Sequence, residues 1–373
     1  MSAIYYVHTY LLYLNQFPSK PVLFGFPFQS TPDVFRLFGP GLKWFPLGTE
    51  IDELDTHLIS ERSQGRRVPA VWTEFPSNPL LVSSDLHRLR ALANEHGFLL
   101  IVDDTVGSFC NIDVLPVADI VVTSLTKSFS GYADVLGGSA VLNPNSRHYP
   151  TLQGLFQRHY HNDLHPLDAT VLLNNSDDYL KRSAILNRNA QSLISLLHTN
   201  FTTSSTTPIK SLYYPSLPPT SQNYTTFLRP ATPDFPSPGY GCLFSIEFTS
   251  LPALIAFLDN LHVHQGPHLG AHRTLAMPYV KAIFNDKMDE YEKYGVNERM
   301  LRISAGLEDD AELHRAFTFA LEKAEEAVRT GKPVGKSVGD VERDGLDGSV
   351  EGGSMKGDSM LVAGDEVDVV NVT

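Results

Sequence analysis

A strand-like run that ends in a lysine constrains this chain more than any other feature. Residues 120–122 (IVV) are apolar and β-branched, and Ser124-Leu125-Thr126-Lys127 follows almost at once. A short apolar run of this kind reads as a strand buried on both faces. In open α/β sheets, ligands bind beyond the carboxyl ends of the strands. Lys127 is therefore delivered to a crevice. Two hydroxyls, those of Ser124 and Thr126, precede it closely, and Gly131, Gly137 and Gly138 follow. Glycine lets the backbone come near a ligand.

A second run sharpens the reading. Residues 98–102 (FLLIV) form another buried strand, which ends in Asp103-Asp104-Thr105. Two adjacent strand ends would then present a carboxylate and an amine across one crevice. A bare S-x-T-K fits an ordinary surface lysine better than a cofactor lysine, and Asp103 at the end of the neighbouring strand is what changes the balance. A lysine amine forms a Schiff base with an aldehyde, and hydroxyls hold phosphate oxygens. An acid beside a pyridinium nitrogen keeps that ring an electron sink. The combination points to pyridoxal 5'-phosphate, with Lys127 catalytic and Asp103, Ser124 and Thr126 as cofactor contacts.

Strand and helix patterns alternate through the first half of the chain. Strands are expected at 22–26, 43–45, 70–75, 98–102, 120–122 and 139–142. Helices are expected at 2–16, 33–38, 49–61 with Thr49 as cap, and from Ser84 or Asp85 to His96, with Gly97 as the stop. The order predicts an α/β fold, a mostly parallel sheet flanked by helices, with a smaller C-terminal α+β domain. A long helix over 174–197 joins the two, and 198–238, rich in Ser, Thr and Pro, reads as irregular chain. Strands at 241–248 and 301–304 and helices at 253–261 and 311–329 follow. The expected division is 1–175, 176–330, and a Gly/Ser-rich acidic tail over 331–373 that should be disordered.

Composition excludes several classes. A formal charge of -13 argues against nucleic acid or an anionic membrane surface as partner. Two cysteines cannot build a disulfide framework, which fits a reducing, cytoplasmic setting. No apolar run approaches the roughly 20 residues of a membrane span, and residues 1–14 read as a buried helix. His262, His264, His268 and His272 lack the cysteine or carboxylate that would complete a recognised ligand set, so no metal is expected.

Four motifs occur together and in order: Glu74-Phe75-Pro76-Ser77-Asn78-Pro79-Leu80, Val102-Asp103-Asp104-Thr105, Ser124-Leu125-Thr126-Lys127 and Asp134-Val135-Leu136-Gly137-Gly138. Their order and spacing resemble the Cys/Met-metabolism pyridoxal-phosphate enzymes, and the wording is most similar to fungal cystathionine gamma-synthases. The resemblance covers about residues 1–325. It implies a fold-type I, aminotransferase-like cofactor domain and a homodimer or homotetramer. It implies small amino-acid substrates and gamma-replacement on an O-acylhomoserine, with cysteine giving cystathionine in methionine biosynthesis. Sulfide or a carbon nucleophile are alternatives, as is a truncated, non-catalytic homologue. By resemblance, Phe28 stacks on the cofactor ring in place of the usual Tyr, and Asn78 lies by its phenolic oxygen. Arg302, in Leu301-Arg302-Ile303-Ser304, clamps the substrate carboxylate, and His268 replaces a substrate-seating serine. Asp104 stands where Asn is usual and is expected to point away. Met1-Ser2-Ala3 matches the end of a phosphate-binding S-G-M triplet, so a further amino-terminal segment is expected in family members.

Overall fold

The computed structural model describes residues 1–14, 19–285, 288–332 and 369–370. Its first half alternates helix and strand: α1 (Ser2–Leu12), β1 (Val22–Phe24), α2 (Thr31–Leu37), β2 (Lys43–Phe45), α3 (Ile51–Ser63), β3 (Ala70–Glu74), α4 (Leu86–His96), β4 (Leu99–Asp103), β5 (Ile120–Ser124) and β6 (Gly138–Leu142). Helices α5 (Tyr149–His159), α6 (Pro166–Ser176) and α7 (Tyr179–Thr203) follow. The second half holds β7 (Ile209–Tyr213), α8 (Ser221–Thr225), β8 (Leu243–Phe248), α9 (Leu251–Asn260), β9 (His264–Gln265), β10 (Leu275–Met277), α10 (Tyr279–Ile283), α11 (Met288–Glu292), β11 (Met300–Ser304) and α12 (Asp310–Thr330). A two-residue strand, β12 (Val369–Val370), pairs with β6.

The large sheet runs β12-β6-β5-β4-β3-β1-β2. All its pairs are parallel except β5–β6. Its strands alternate between two cores, as a period of two requires. Val22, Phe24, Leu100, Val102 and Val121 join α3 and α4 on one face. Leu23, Ile101, Ile120 and Val122 join Ala3, Ile4 and Val7 of α1 on the other. The expected α/β fold with helices over both faces is the one observed. The second sheet, β7-β8-β11-β10-β9, is mostly antiparallel. It packs against α7, α9 and α12.

Local signals were strongest at α4. The Asp85 carboxylate accepts the Arg88 N–H at 2.9 Å, and Gly97 ends the helix with φ 77°. Three expectations need correction. Thr49 is not a cap: Glu50 is the N-cap of α3, and its carboxylate accepts the N–H groups of Leu47 and Gly48. The expected helix over 174–197 is two helices, broken at Asp177 and Asp178. The stretch 198–238 is less irregular than its composition implied, because α7 continues to Thr203 and β7 follows. The tail expectation falls almost wholly on 333–368 and 371–373, outside the described residues.

A buried amide pair ties the halves together. Asn187 of α7 donates to Asn111 Oδ1 at 2.7 Å, and Asn111 donates back to Asn187 Oδ1 at 3.2 Å. The same oxygens accept the N–H groups of Gly239 and Gly241. Asn187→Ala leaves several of these buried groups unpaired. It should lower unfolding stability by about 2–3 kcal/mol, read from the shift in urea midpoint.

Candidate active site

The carboxyl ends of β3, β4 and β5 converge. Glu74, Asp103 and Ser124 are the last residues of these strands, and Glu74 and Asp103 are register partners. They open on a cavity of about 330 Å³ that Lys127, Phe28, Asn78, Thr126 and Arg302 also line. Parallel pairing accounts for the convergence, since it brings every strand to the same edge. His268 lies beside the cavity, between its lining residues Pro267 and Leu269.

Burial, and then the nearby Arg302 charge, bring the Lys127 amine down to a pKa of about 8. The turn after Lys127 is held from outside. Buried Arg182 of α7 donates to the carbonyls of Ser128, Phe129 and Asn175 at 2.7–3.0 Å. Gly270 presses on the same turn: at φ 74°, a Cβ there would lie 2.6 Å from Ser128 Cα.

Asp103 accepts the Thr105 N–H at 2.9 Å. Burial raises its pKa, and the Thr105 hydrogen bonds oppose this. Glu74, half-buried beside it at the end of β3, is pushed well up by burial and by the Asp103 charge. Carboxylates at paired strand ends oppose each other's ionisation, and of the two Glu74 is the one pushed further toward its neutral form. Glu74 Oε1 also accepts the Phe28 N–H at 2.5 Å, which fixes the loop carrying the aromatic wall.

Thr126 Oγ1 accepts the Gly137 N–H at 3.0 Å. The Ser124 hydroxyl has no protein partner among the described residues. Helix α1 starts at the cavity, where Met1 and Ile4 line it, and helix starts favour anions. An amine with a pKa lowered to about 8, a half-buried acid, an open hydroxyl by a helix start and an aromatic wall fit pyridoxal 5'-phosphate.

Arg302 is 3% exposed. Its guanidinium donates to Asn78 Oδ1 at 3.3 Å and to the Pro267 carbonyl, and stacks 4.5 Å from the Tyr279 ring centre. It has no carboxylate partner among the described residues. A buried cation without a counter-ion is costly, so the site is built to receive an anion. Neither ring nitrogen of His268, both buried, has a well-formed hydrogen bond among the described residues. Burial first, then the Lys127 charge, take its pKa down to about 4, so at neutral pH the imidazole is neutral and can both donate and accept.

Asp104 does point away. It is buried on the opposite side of the sheet, accepts the Thr123 hydroxyl at 2.5 Å and lines a separate, mainly apolar cavity. Burial raises its pKa to about 7. Its folded pKa thus exceeds its unfolded value near 4. The stability it favours is present below about pH 4 and is lost as pH rises through about 7. Asp104→Asn should remove that loss. The variant should gain up to about 4 kcal/mol on the wild type at pH 8 and little at pH 4, read from paired thermal melts.

Sequence reasoning placed the lysine, the acid and the arginine but missed Glu74, Tyr279 and Arg182 as members of the site. Glu74 stood inside a quoted motif. Its position at a strand end, like that of Asp103, was the available signal.

The family model for Cys/Met metabolism PLP-dependent enzymes matches residues 37–322. The chain belongs to this family. Family membership makes pyridoxal 5'-phosphate its cofactor. A cystathionine gamma-synthase-like enzyme of Amanita muscaria is 41% identical over 341 residues, which are 88% of this chain and 54% of that protein. The cystathionine gamma-synthase of Neurospora crassa is 38% identical, over 87% of this chain and 51% of its own length. An alanine racemase of Aspergillus violaceofuscus is 41% identical, over 87% and 56%. The chain spans about half the length of these relatives. A solved structure, cystathionine gamma-synthase from Xanthomonas oryzae in complex with cystathionine, shares the fold at TM-score 0.70. It is 22% identical and covers 87% of this chain and 80% of that one.

Proposed function

We propose that this protein carries out gamma-replacement on an O-acylhomoserine, with the thiol of cysteine as nucleophile and cystathionine as product. The observation that carries the reading is the buried Arg302 guanidinium, without a carboxylate partner among the described residues, at one cavity with Lys127 and Asp103. Bound in that cavity, pyridoxal phosphate supplies an electron sink for the substrate's carbon framework. Asp103 holds the charge that keeps the sink effective, and Phe28 and Leu136 wall it from water.

The residues divide the remaining work. Arg302 takes the substrate α-carboxylate in a bidentate grip. The Lys127 amine, neutral in part near pH 8, accepts the α-proton and returns a proton later in the reaction. The neutral His268 imidazole stands by to take or give a proton near the same amine. In the net exchange the acyl group leaves Cγ as a carboxylate with the C–O electron pair. Cysteine sulfur forms the new C–S bond, and its proton is released. The division at residue 175 into a cofactor lobe and a smaller lobe is part of this proposal, as is assembly into a dimer or tetramer.

The test is incubation of cofactor-loaded protein with cysteine and either O-acetyl- or O-succinylhomoserine, with cystathionine followed by mass. Absence of cystathionine from both esters would overturn the reading. A second reading, amino-acid racemisation, is supported by the alanine racemase relative and by a second titratable side chain, His268, whose titration the Lys127 charge influences. Formation of D-alanine from L-alanine by the same preparation would select it.

A further inference from the structure

The opposite edge of the large sheet holds an unexpected concentration of positive charge. Arg62, Arg66, Arg67 and Arg147 line one cavity of about 430 Å³, with His96 and His148 beside them. Glu95 is the acid in its wall. The whole chain carries a net charge of -13, so this concavity runs against the protein's overall field. It lies at the amino ends of β3 and β4, where Val68 and Gly97 line it. The active-site cavity lies at the carboxyl ends of these five-residue strands, roughly 17 Å away.

The accounting of partners is uneven. Arg66 is neutralised by Glu61 through two contacts, at 2.6 and 2.7 Å. His96 pairs with Asp55 at 2.9 Å. Arg67 donates to the Gly97 carbonyl at 2.6 Å, and Arg147 donates to the Ala93 and Asn94 carbonyls and to His148. These bonds hold two guanidiniums over the last turn of α4, whose dipole favours cations, yet they bring no negative charge. Arg62 has no side-chain partner among the described residues. Three guanidiniums therefore share one concavity without a carboxylate partner among the described residues. His148 has a lowered pKa, caused first by burial; Asp119 opposes the shift, and Arg147, Arg90 and Arg67 add to it. A second basic cavity, with Lys20 and Lys43, adjoins through Arg66.

We propose that the concavity formed by Arg62, Arg67 and Arg147 is a binding site for a small anion bearing at least two phosphate groups, distinct from the cofactor site. Guanidinium forks match phosphate oxygens in pairs, and three forks around one hollow suit more than one phosphate. The site is exposed, so its affinity falls as salt is raised.

Pyrophosphate is the probe, titrated calorimetrically into full-length protein saturated with pyridoxal phosphate, so that the active-site anion position is already filled. One saturable site is expected, at least tenfold tighter than inorganic sulfate. Arg62→Gln, at an exposed side chain with no partner among the described residues, should weaken it severalfold. The Arg62→Gln/Arg147→Gln double variant should weaken it tenfold or more. Adenosine diphosphate binding tighter than pyrophosphate would support a nucleotide as the source, and equal binding would support the phosphate chain alone. The proposal is overturned if no saturable heat is seen, or if sulfate binds as well. Unchanged affinity in Arg62→Gln and in the double variant would overturn it equally.

Discussion

Lys127→Ala is expected to leave a folded protein whose turnover falls by about 10³-fold or more. On the proposed reading two roles disappear at once, the covalent hold on the cofactor and the positioned base. General acid–base catalysis alone contributes about 10²–10⁴-fold. The fold should survive, because Lys127 makes no side-chain hydrogen bond or ion pair among the described residues and the turn behind it is held by Arg182. Cofactor capture gives a second readout. It needs the neutral amine, and with the pKa brought down to about 8, the capture rate should climb between about pH 7 and 9 and then level. The wild type should develop a visible absorbance band that borohydride removes. A variant with the same borohydride-sensitive band would place the reactive amine elsewhere and sink the assignment.

Arg302→Leu is the second large effect. It should lower kcat/KM for the acylhomoserine by about 10²-fold, mostly through KM, since loss of a desolvated charge partner costs about 2–5 kcal/mol. Arg302→Lys should recover little, because an ammonium cannot reproduce the planar fork or its stacking on Tyr279. Stability should move the other way. The guanidinium is buried without a counter-ion among the described residues, and burial lowers its pKa. Leucine removes that desolvated charge, so the ligand-free variant should melt no lower than the wild type. A loss of kcat/KM accompanied by a matching fall in the melting temperature of the ligand-free protein would indicate a structural arginine instead.

The legible parts of this chain were the local ones. Strands β4 and β5 announce themselves as apolar runs, and their terminal Asp103 and Ser124 need only the parallel-sheet rule to meet. Helix α4 carries both its cap and its glycine stop. The break at Asp177 was not legible, because Asn174 to Leu197 keeps helical periodicity across it. Arg182 and Tyr279 were invisible for a different reason. Each acts on residues far away in the chain, Arg182 on the turn after Lys127 and Tyr279 on Arg302 and Asn78. Such contacts depend on how α7 and the second sheet are placed, which no local pattern encodes. The basic hollow is dispersed in the same way, with three of its arginines from one segment and the fourth from a loop after β6.

Helix α7 has one more implication. Arg182 grips the turn that follows the reactive amine, and Asn189, two turns on (~10 Å), donates to the carbonyls of Gly306 and Glu308 just past the Arg302 strand. One rigid rod thus touches both ends of the reaction chamber and works as a caliper. The spacing between the two segments it bonds is then tied to helix pitch. Substitutions in the Ser/Thr/Pro-rich stretch can then drift without changing the size of substrate the chamber accepts, whereas a residue inserted between positions 182 and 189 would reset it.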